Sequence, residues 1–434
     1  MLAYTEWGSS NFDAEFARWE EAFTAVSDAA GTLLKDNLQD LSVREGLRLA
    51  GWKPDEMDHE MAARAVEWWL YGEYLIYSAN GKKRVTRAYT LPDGEQAFSP
   101  DQSSMIFGIA VHNFTFMQFS EENNFIIDQR GHNTWIKGEA SEFLSQNDDR
   151  LLLNTIVTRI GHSVDGVRID TANGECIEAE HAICTFSVGV LQHDDVVFDP
   201  PLPKWKETAI AKFQMGTYTK IFMQFPSVFW DQDTEFHLYA DPVTRGWYPI
   251  FQNLDKEGFF PGSRLFFVTV VNAESHRVEH QSEAATQLEI MAVLRAMFPN
   301  VTVPEPEFIQ YPRWNQYPWA RGSYSNWPPE TTLETHQNLR ANVHRLWFAG
   351  EHTSAGYFGY MQGAWFEGLD VGNRVAGLLN DANGGSGLGC RNQGDAEDAC
   401  GDMLHYETLH GTTFEDEYDV ENGWVGSSFG RGQE

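Results

Sequence analysis

The densest collection of chemically capable residues lies at 346–379, which read LWFAGEHTSAGYFGYMQGAWFEGLDVGNRVAGLL. LWFA has the character of a short buried strand, 350–363 that of a glycine-rich turn, and 364–379 that of a helix. In that order, the free N–H groups of a helix start are aimed at an anion or an electron-rich ring. Glycines at 350, 356, 359 and 363 let a bulky group come close to the backbone. Glu351 and His352 follow directly on the strand, where α/β folds place their ligands. The pattern points to a nucleotide-like cofactor. A loop that only joins strand to helix accounts for the same residues equally well.

Several elements must hold this stretch in place. Phe12, Phe16, Trp19, Phe23, Val26, Ala30 and Leu33 alternate at spacings of four and three, the stripe of one amphipathic helix. Asn11 or Ser10 can cap it, and Asp13 and Glu15 suit its first turn. Further helices are predicted over 57–77 and from Glu283 to Phe298, where Pro299 stops the second. Between them the periodicity turns to strands. Residues 151–160, 166–170 and the run HAICTFSV from His181 read as a β-meander with Asn173-Gly174 as a turn. KIFMQF at 220–225 and LFFVTVV at 265–271 add two more strands.

The 434 residues suggest two to three domains, and 42% hydrophobic content supplies large cores, which excludes a disordered chain. The net charge is −32, which disfavours nucleic acid and anionic membrane surfaces and suits cationic small molecules. No apolar run approaches the about 20 residues of a membrane span. MLAYTEWGSS has no signal-peptide character, so the compartment stays open. Cys176, Cys184, Cys390 and Cys400 have no metal-ligand spacing, and no metal is expected; Cys390 and Cys400 could pair. Sequons occur at Asn113 and Asn300. Residues 381–434 hold twelve acidic and two basic residues and are expected to be a disordered tail.

The stretch at 346–379 resembles the C-terminal flavin-binding motif of the flavin-containing amine oxidases, and more narrowly of the polyamine oxidases. Residues 196–230, VVFDPPLPKWKETAIAKFQMGTYTKIFMQFPSVFW, resemble that family's central segment. PRWNQYPWARGSYSNWP at 312–328 resembles its aromatic-rich segment. LLLNTIVTRIGHSVDGV and FIIDQRGHNTWIKG are similar to others, so the likeness runs from about residue 11 to 379.

The resemblance implies an α/β fold: a mixed-sheet substrate domain with flanking helices, plus an FAD-binding domain. It implies FAD-dependent oxidation of a polyamine such as spermine or spermidine, with hydride passing from the carbon beside the nitrogen to the flavin. Oxygen is the acceptor and hydrogen peroxide is released. A monoamine oxidase or another flavin amine oxidase is the alternative. By the same likeness, Lys220 matches the lysine that holds a water beside the flavin ring. Tyr324 and Tyr360 match the aromatic pair flanking the substrate, and these three residues are the expected catalytic set. Trp314 matches a tryptophan close to the flavin, and Glu351 a flavin-contacting glutamate, with His352 and Thr353 beside it. Tyr360, Met361 and Gln362 lead into the helix over the pyrimidine end, where its dipole would stabilise the reduced ring. Val157 matches the position whose backbone meets the adenine. Taken without the likeness, Lys220 is surface and the tyrosines are core filling.

The sequence also departs from the family pattern. It contains no G-x-G-x-x-G turn, no acidic residue for the adenine ribose and no Gly-Gly-Arg segment. The expected layout is therefore a helical part of the substrate domain over 1–119, part of an incomplete FAD-binding domain over 120–189, the substrate sheet over 190–342 and a C-terminal FAD segment over 343–380. A truncated remnant that holds FAD weakly or not at all is the third reading. Glu73, in WWLYGEYLIY, is a candidate for the distal amine of a polyamine. Ala355, Gly356 and Phe358 differ from common plant-type members, so substrate preference does not transfer.

Overall fold

The computed structural model describes residues 1–36, 38–72, 97–108 and 126–382. Glu73, Cys390, Cys400, Asn113 and the tail beyond residue 382 lie outside the described residues. The expected mixed α/β architecture is present.

The chain opens with a hairpin, β1 (Leu2–Thr5) and β2 (Gly8–Ser10), and then the long helix α1 (Asp13–Lys35). Its apolar stripe does as its spacing demands: Phe12, Trp19, Phe23, Val26 and Ala30 are buried. Asn11 Oδ1 accepts the Asp13 N–H at 2.8 Å and supplies the cap. Helices α2 (Val43–Leu49) and α3 (Glu60–Gly72) pack beside α1, and α4 (Asn133–Ala140) follows after an interval. The expected helix over 57–77 begins at Glu60, and its part beyond Gly72 is outside the described residues.

A four-stranded sheet comes next, in the order β5-β4-β3-β7, built from β3 (Val157–His162), β4 (Val167–Thr171), β5 (Cys176–Ala179) and β7 (Val197–Asp199). Two expectations are corrected here. The apolar run at 151–156 is not strand: Leu151, Leu152, Leu153 and Ile156 are exposed in irregular backbone, and β3 starts only at Val157. The run from His181 does not continue the meander either. Its strand β6 (Ala182–Cys184) leaves that sheet and pairs in parallel with β15 (Leu346–Phe348). A strand buried against a distant partner has the same apolar signature as one paired with its sequence neighbour.

The short helices α5 (Val188–Leu191) and α6 (Lys204–Lys212) lead to β8 (Gln214–Met215) and β9 (Tyr218–Gln224). Among the described residues the largest sheet has seven strands in the order β13-β9-β12-β11-β10-β1-β2, with β10 (Phe236–Tyr239), β11 (Ile250–Asn253), β12 (Leu265–Val271) and β13 (Phe308–Gln310). Only β1 and β10 run parallel within it. One core joins Ile221, Met223, Phe266, Val268 and Val270 to Ile290, Leu294 and Met297 of α8 (Glu283–Met297), which follows α7 (Asn272–His280). A second core sets Tyr218, Phe236, Leu238 and Ile250 against α1 to α3. Each fully buried Phe, Leu or Met side chain contributes about 1.5–3 kcal/mol.

Strand β14 (Ser325–Asn326) pairs with β8, and α9 (Leu333–Arg340) precedes β15. The last described element, α10 (Met361–Ala382), starts three residues before its sequence-predicted start and buries Val371 against Ala341, Trp347 and Ala349.

Candidate active site

Strand β15 ends in Ala349 and Gly350, and one turn of 3-10 helix, Glu351–Thr353, starts the glycine loop. Thr353 closes this turn, its hydroxyl accepting the Gly350 N–H at 3.1 Å and donating to the Gly350 carbonyl at 2.9 Å. A Cβ on Gly350 would meet the His352 ring at 2.6 Å, so glycine is required by that close approach. Gly363 is as tightly placed, with the Tyr357 carbonyl oxygen 2.1 Å from where its Cβ would lie. Half of the apparent cradle glycines thus serve packing within the chain.

Glu351 ties the loop to the aromatic segment. Its Oε1 accepts the Ser325 N–H at 3.0 Å, while Oε2 accepts the Ser325 hydroxyl at 2.7 Å and the Gly359 N–H at 2.6 Å. Burial raises the Glu351 pKa above its ordinary value, against the opposing pull of these hydrogen bonds. Gly359 has φ +83°, which favours glycine, and its Cβ position is 3.4 Å from the Tyr324 ring. Tyr360 comes next, half-buried, and Met361 at the start of α10 is 40% exposed.

Behind the loop lies a buried polar base that the sequence reading missed. Lys206 of α6 is fully buried. Its Nζ donates to the carbonyls of Leu339 (2.5 Å) and Ala341 (2.7 Å) and lies 3.6 Å from the Phe348 ring centroid. It caps the C-terminus of α9 with a donor, and burial drives its pKa well down. His352 is buried beside it; burial, reinforced by Lys206, pushes its pKa down to about 3, so the ring is neutral. A signal existed: Lys206, Ala209, Ile210 and Phe213 share one helical stripe, and a lysine in an apolar stripe is out of place.

The second wall comes from the large sheet. On β9, Ile221 and Met223 face the α8 core, so Tyr218, Lys220 and Phe222 point to the opposite face. Lys220 stands opposite Thr269, with Nζ 5.4 Å from the ring centroids of both Tyr218 and Phe267. Tyr218 packs on Tyr324 at 5.9 Å between centroids. The Gly216 N–H also donates to the Tyr324 carbonyl at 2.7 Å, which fixes Tyr324 against the start of β9. Lys220, Tyr324, Glu351 and the turn bearing Tyr360 are therefore brought together by direct contacts.

Trp314 begins a short 3-10 turn, Trp314–Gln316, and its carbonyl accepts the Gly322 N–H at 3.2 Å. Its ring is half-buried and meets Tyr317 and Trp319 edge-on at 5.8 and 6.0 Å. Val157 is half-buried at the start of β3, paired with Thr171, and packs against the same core as Tyr360. Near the expected acidic substrate region, Glu67 is fully buried and occupied. Arg44 holds it at 2.5 and 2.7 Å, Arg245 at 2.8 Å and the Trp52 N–H at 2.8 Å. Burial pushes its pKa up, but the Arg245 charge and the Arg44 bonds outweigh that and hold it below the ordinary value. That carboxylate is not available to a ligand cation.

The donor set suits the ring end of a flavin. The first N–H groups of a helix lack partners within it, and α10 starts directly after Tyr360 with Met361 exposed. Half-buried aromatic side chains flank that position. Among the described residues there is no second glycine-rich strand-to-helix turn that would match a pyrophosphate.

The model of the family described as flavin containing amine oxidoreductase matches residues 81–376, and the chain belongs to that family, whose cofactor is FAD. Polyamine oxidase 6 of Oryza sativa subsp. japonica is 40% identical over 264 residues, which cover 59% of this chain and 53% of that protein. Polyamine oxidase 1 of Zea mays is 40% identical over 265 residues, covering 59% and 52% respectively. The chain spans about half the length of the curated relatives it matches. Among solved structures, wild-type putrescine oxidase bound to putrescine superimposes with a TM-score of 0.63 at 15% identity, covering 85% of this chain and 76% of that one. At that identity the likeness speaks for the fold alone. Among the described residues no helix is long and apolar enough to cross a membrane.

Proposed function

We propose that this chain oxidises a cationic aliphatic amine of the spermine or spermidine type at the wall formed by Lys220, Tyr218, Tyr324 and Tyr360. One observation carries the reading. Lys220 and Tyr324 meet through the Tyr218 ring, and Gly359, next to Tyr360, closes on Tyr324. Family membership and the net charge of −32 support it, the second because a negative field concentrates polycations.

When bound, FAD supplies the acceptor for a hydride from the carbon beside the amine nitrogen, and the two electrons pass on to oxygen to give hydrogen peroxide. The chain's own residues do the rest. Tyr324 and Tyr360 align the aliphatic carbons, and an aromatic face attracts an ammonium by about 0.5–2 kcal/mol. Desolvation among these rings favours the neutral nitrogen, whose lone pair must be free before hydride leaves. Lys220 holds a water at Nζ, positioned to carry protons and to hydrolyse the imine product. Amine, oxygen and water thus give an aldehyde, a shorter amine and peroxide. Trp314 and the start of α10 would hold the flavin ring, and Glu351 ties the glycine loop to Ser325.

The occupied state of Glu67 favours a second reading, a monoamine oxidase with no distal carboxylate. Peroxide release measured with spermine, spermidine and a simple alkylamine, with FAD in excess, separates the two. The polyamine reading requires faster turnover of the polyamines and severe loss in Lys220→Met. Equal turnover in Lys220→Met would reduce Lys220 to a structural role.

A further inference from the structure

We propose that Glu279 is a positioning residue that sets the Trp314 turn against the strand carrying Lys220; the inference rests on the reading of that wall as the amine-oxidation site. Helix α7 leaves β12 through Asn272, whose φ of +51° turns the chain sharply back, and it buries Ser275, Val278 and Glu279. Glu279 is fully buried and reaches in two directions. Its Oε1 accepts the hydroxyl of Thr219, the residue before Lys220, at 3.0 Å. Its Oε2 accepts both the backbone N–H and the side-chain amide of Asn315, the residue after Trp314, at 2.9 and 3.1 Å. The Glu279 carbonyl accepts two more donors from the same turn, the Arg313 guanidinium and the Gln316 amide.

The single Thr219 hydroxyl hydrogen is committed to Glu279, so at 2.6 Å it is Ser275 that donates to Thr219. Thr219 and Lys220 point to opposite faces of β9, so fixing Thr219 fixes the strand on which Lys220 is mounted. One side chain thereby links the Lys220 and Trp314 segments, which lie almost a hundred residues apart in sequence. Glutamine can replace it: its oxygen accepts from Asn315, its amide donates to Thr219, and Thr219 turns to donate to Ser275. Alanine cannot.

Fluorine NMR of the fluorotryptophan-labelled protein tests this without cofactor or substrate, with the Trp314 resonance assigned by its loss in Trp314→Phe. Glu279→Ala should shift or broaden that resonance, and Glu279→Gln should leave it close to wild type. Thr219→Val, which cuts the arm to β9 together with the Ser275 bond but leaves Glu279 on Asn315, should move it in the same direction as Glu279→Ala and guards against a Glu279→Ala protein that does not fold. In the FAD-loaded protein, Glu279→Ala should slow flavin reduction by amine about ten- to hundred-fold, as for other displaced positioning groups, with Glu279→Gln restoring it. An unmoved Trp314 resonance in Glu279→Ala and Thr219→Val, or a Glu279→Gln effect as large as that of alanine, overturns the proposal. If the resonances move as described but the wild-type protein reduces flavin with no amine, the positioning stands and the amine-oxidase reading falls.

Discussion

Removing the Glu351 carboxyl should unfasten the glycine loop from the aromatic segment, and the size of that effect can be worked out from its partners. Glu351→Ala takes the acceptor from the Ser325 and Gly359 N–H groups and from the Ser325 hydroxyl. Ser325 is buried, whereas Gly359 is half-buried and can recover part of its bond from water. With about 1–3 kcal/mol for each stranded buried donor, and relief from no longer burying the carboxyl, the net loss comes to about 2–4 kcal/mol. Glu351→Gln keeps one oxygen and should lose about half as much. A pH signature accompanies the loss. Burial raises the Glu351 pKa in the folded state, so its contribution to stability is complete below the unfolded value of about 4.5 and is lost as pH rises through the raised folded value. Urea unfolding of wild type and Glu351→Gln, followed by far-ultraviolet circular dichroism from mildly acidic to neutral pH, reads both effects. Wild type should lose more stability over that interval than Glu351→Gln, which keeps the slope due to Glu367, a second glutamate whose pKa is raised by burial. An alanine variant within about 0.5 kcal/mol of wild type, or identical slopes in the two proteins, would refute the reasoning.

Lys206→Met strands the carbonyls of Leu339 and Ala341 but also removes a buried amine, so a net loss of about 1–3 kcal/mol is expected near neutral pH. Because the Lys206 pKa is lowered on folding, wild-type stability should rise with pH toward the ordinary lysine value of 10.5, and Lys206→Met should flatten that rise. Gly363→Ala places a Cβ 2.1 Å from the Tyr357 carbonyl oxygen and should cost about 1–3 kcal/mol or more by thermal unfolding. Gly372→Ala, with nothing within 4 Å of the added Cβ inside α10, should instead stabilise by about 0.5–1 kcal/mol.

The sequence was most readable where one local pattern decides the outcome. The stripe from Phe12 to Leu33 forms α1 because its apolar spacing permits only a helix, and LFFVTVV forms β12 because seven such residues fit a central strand. Legibility failed where a partner far away in sequence decides. Leu151–Leu153 are as apolar as a strand yet have no sheet to join, and β6 pairs with a strand more than 160 residues distant. The site divides in the same way. Glu351 and Tyr360 stand in a motif whose strand–loop–helix order is visible, but Lys220 and Tyr324 carried meaning only through family resemblance. Lys206 and Glu279 have the residue types of surface positions. Their burial is signalled only by their place in a helical stripe, with Ala209 and Ile210 in one case and Ser275 and Val278 in the other.

An amine-oxidation site formed by Lys220, Tyr218, Tyr324 and Tyr360, joined to the α10 loop, must pass electrons from amine to flavin. The most direct test is anaerobic addition of spermidine to the protein supplied with a large excess of FAD, followed by the visible absorbance of the protein-associated flavin. Bleaching should depend on amine concentration, recover on admitting oxygen with release of hydrogen peroxide, and be severely slowed in Tyr324→Ala. Protein-bound flavin that spermidine, spermine and simple alkylamines all fail to bleach would contradict it.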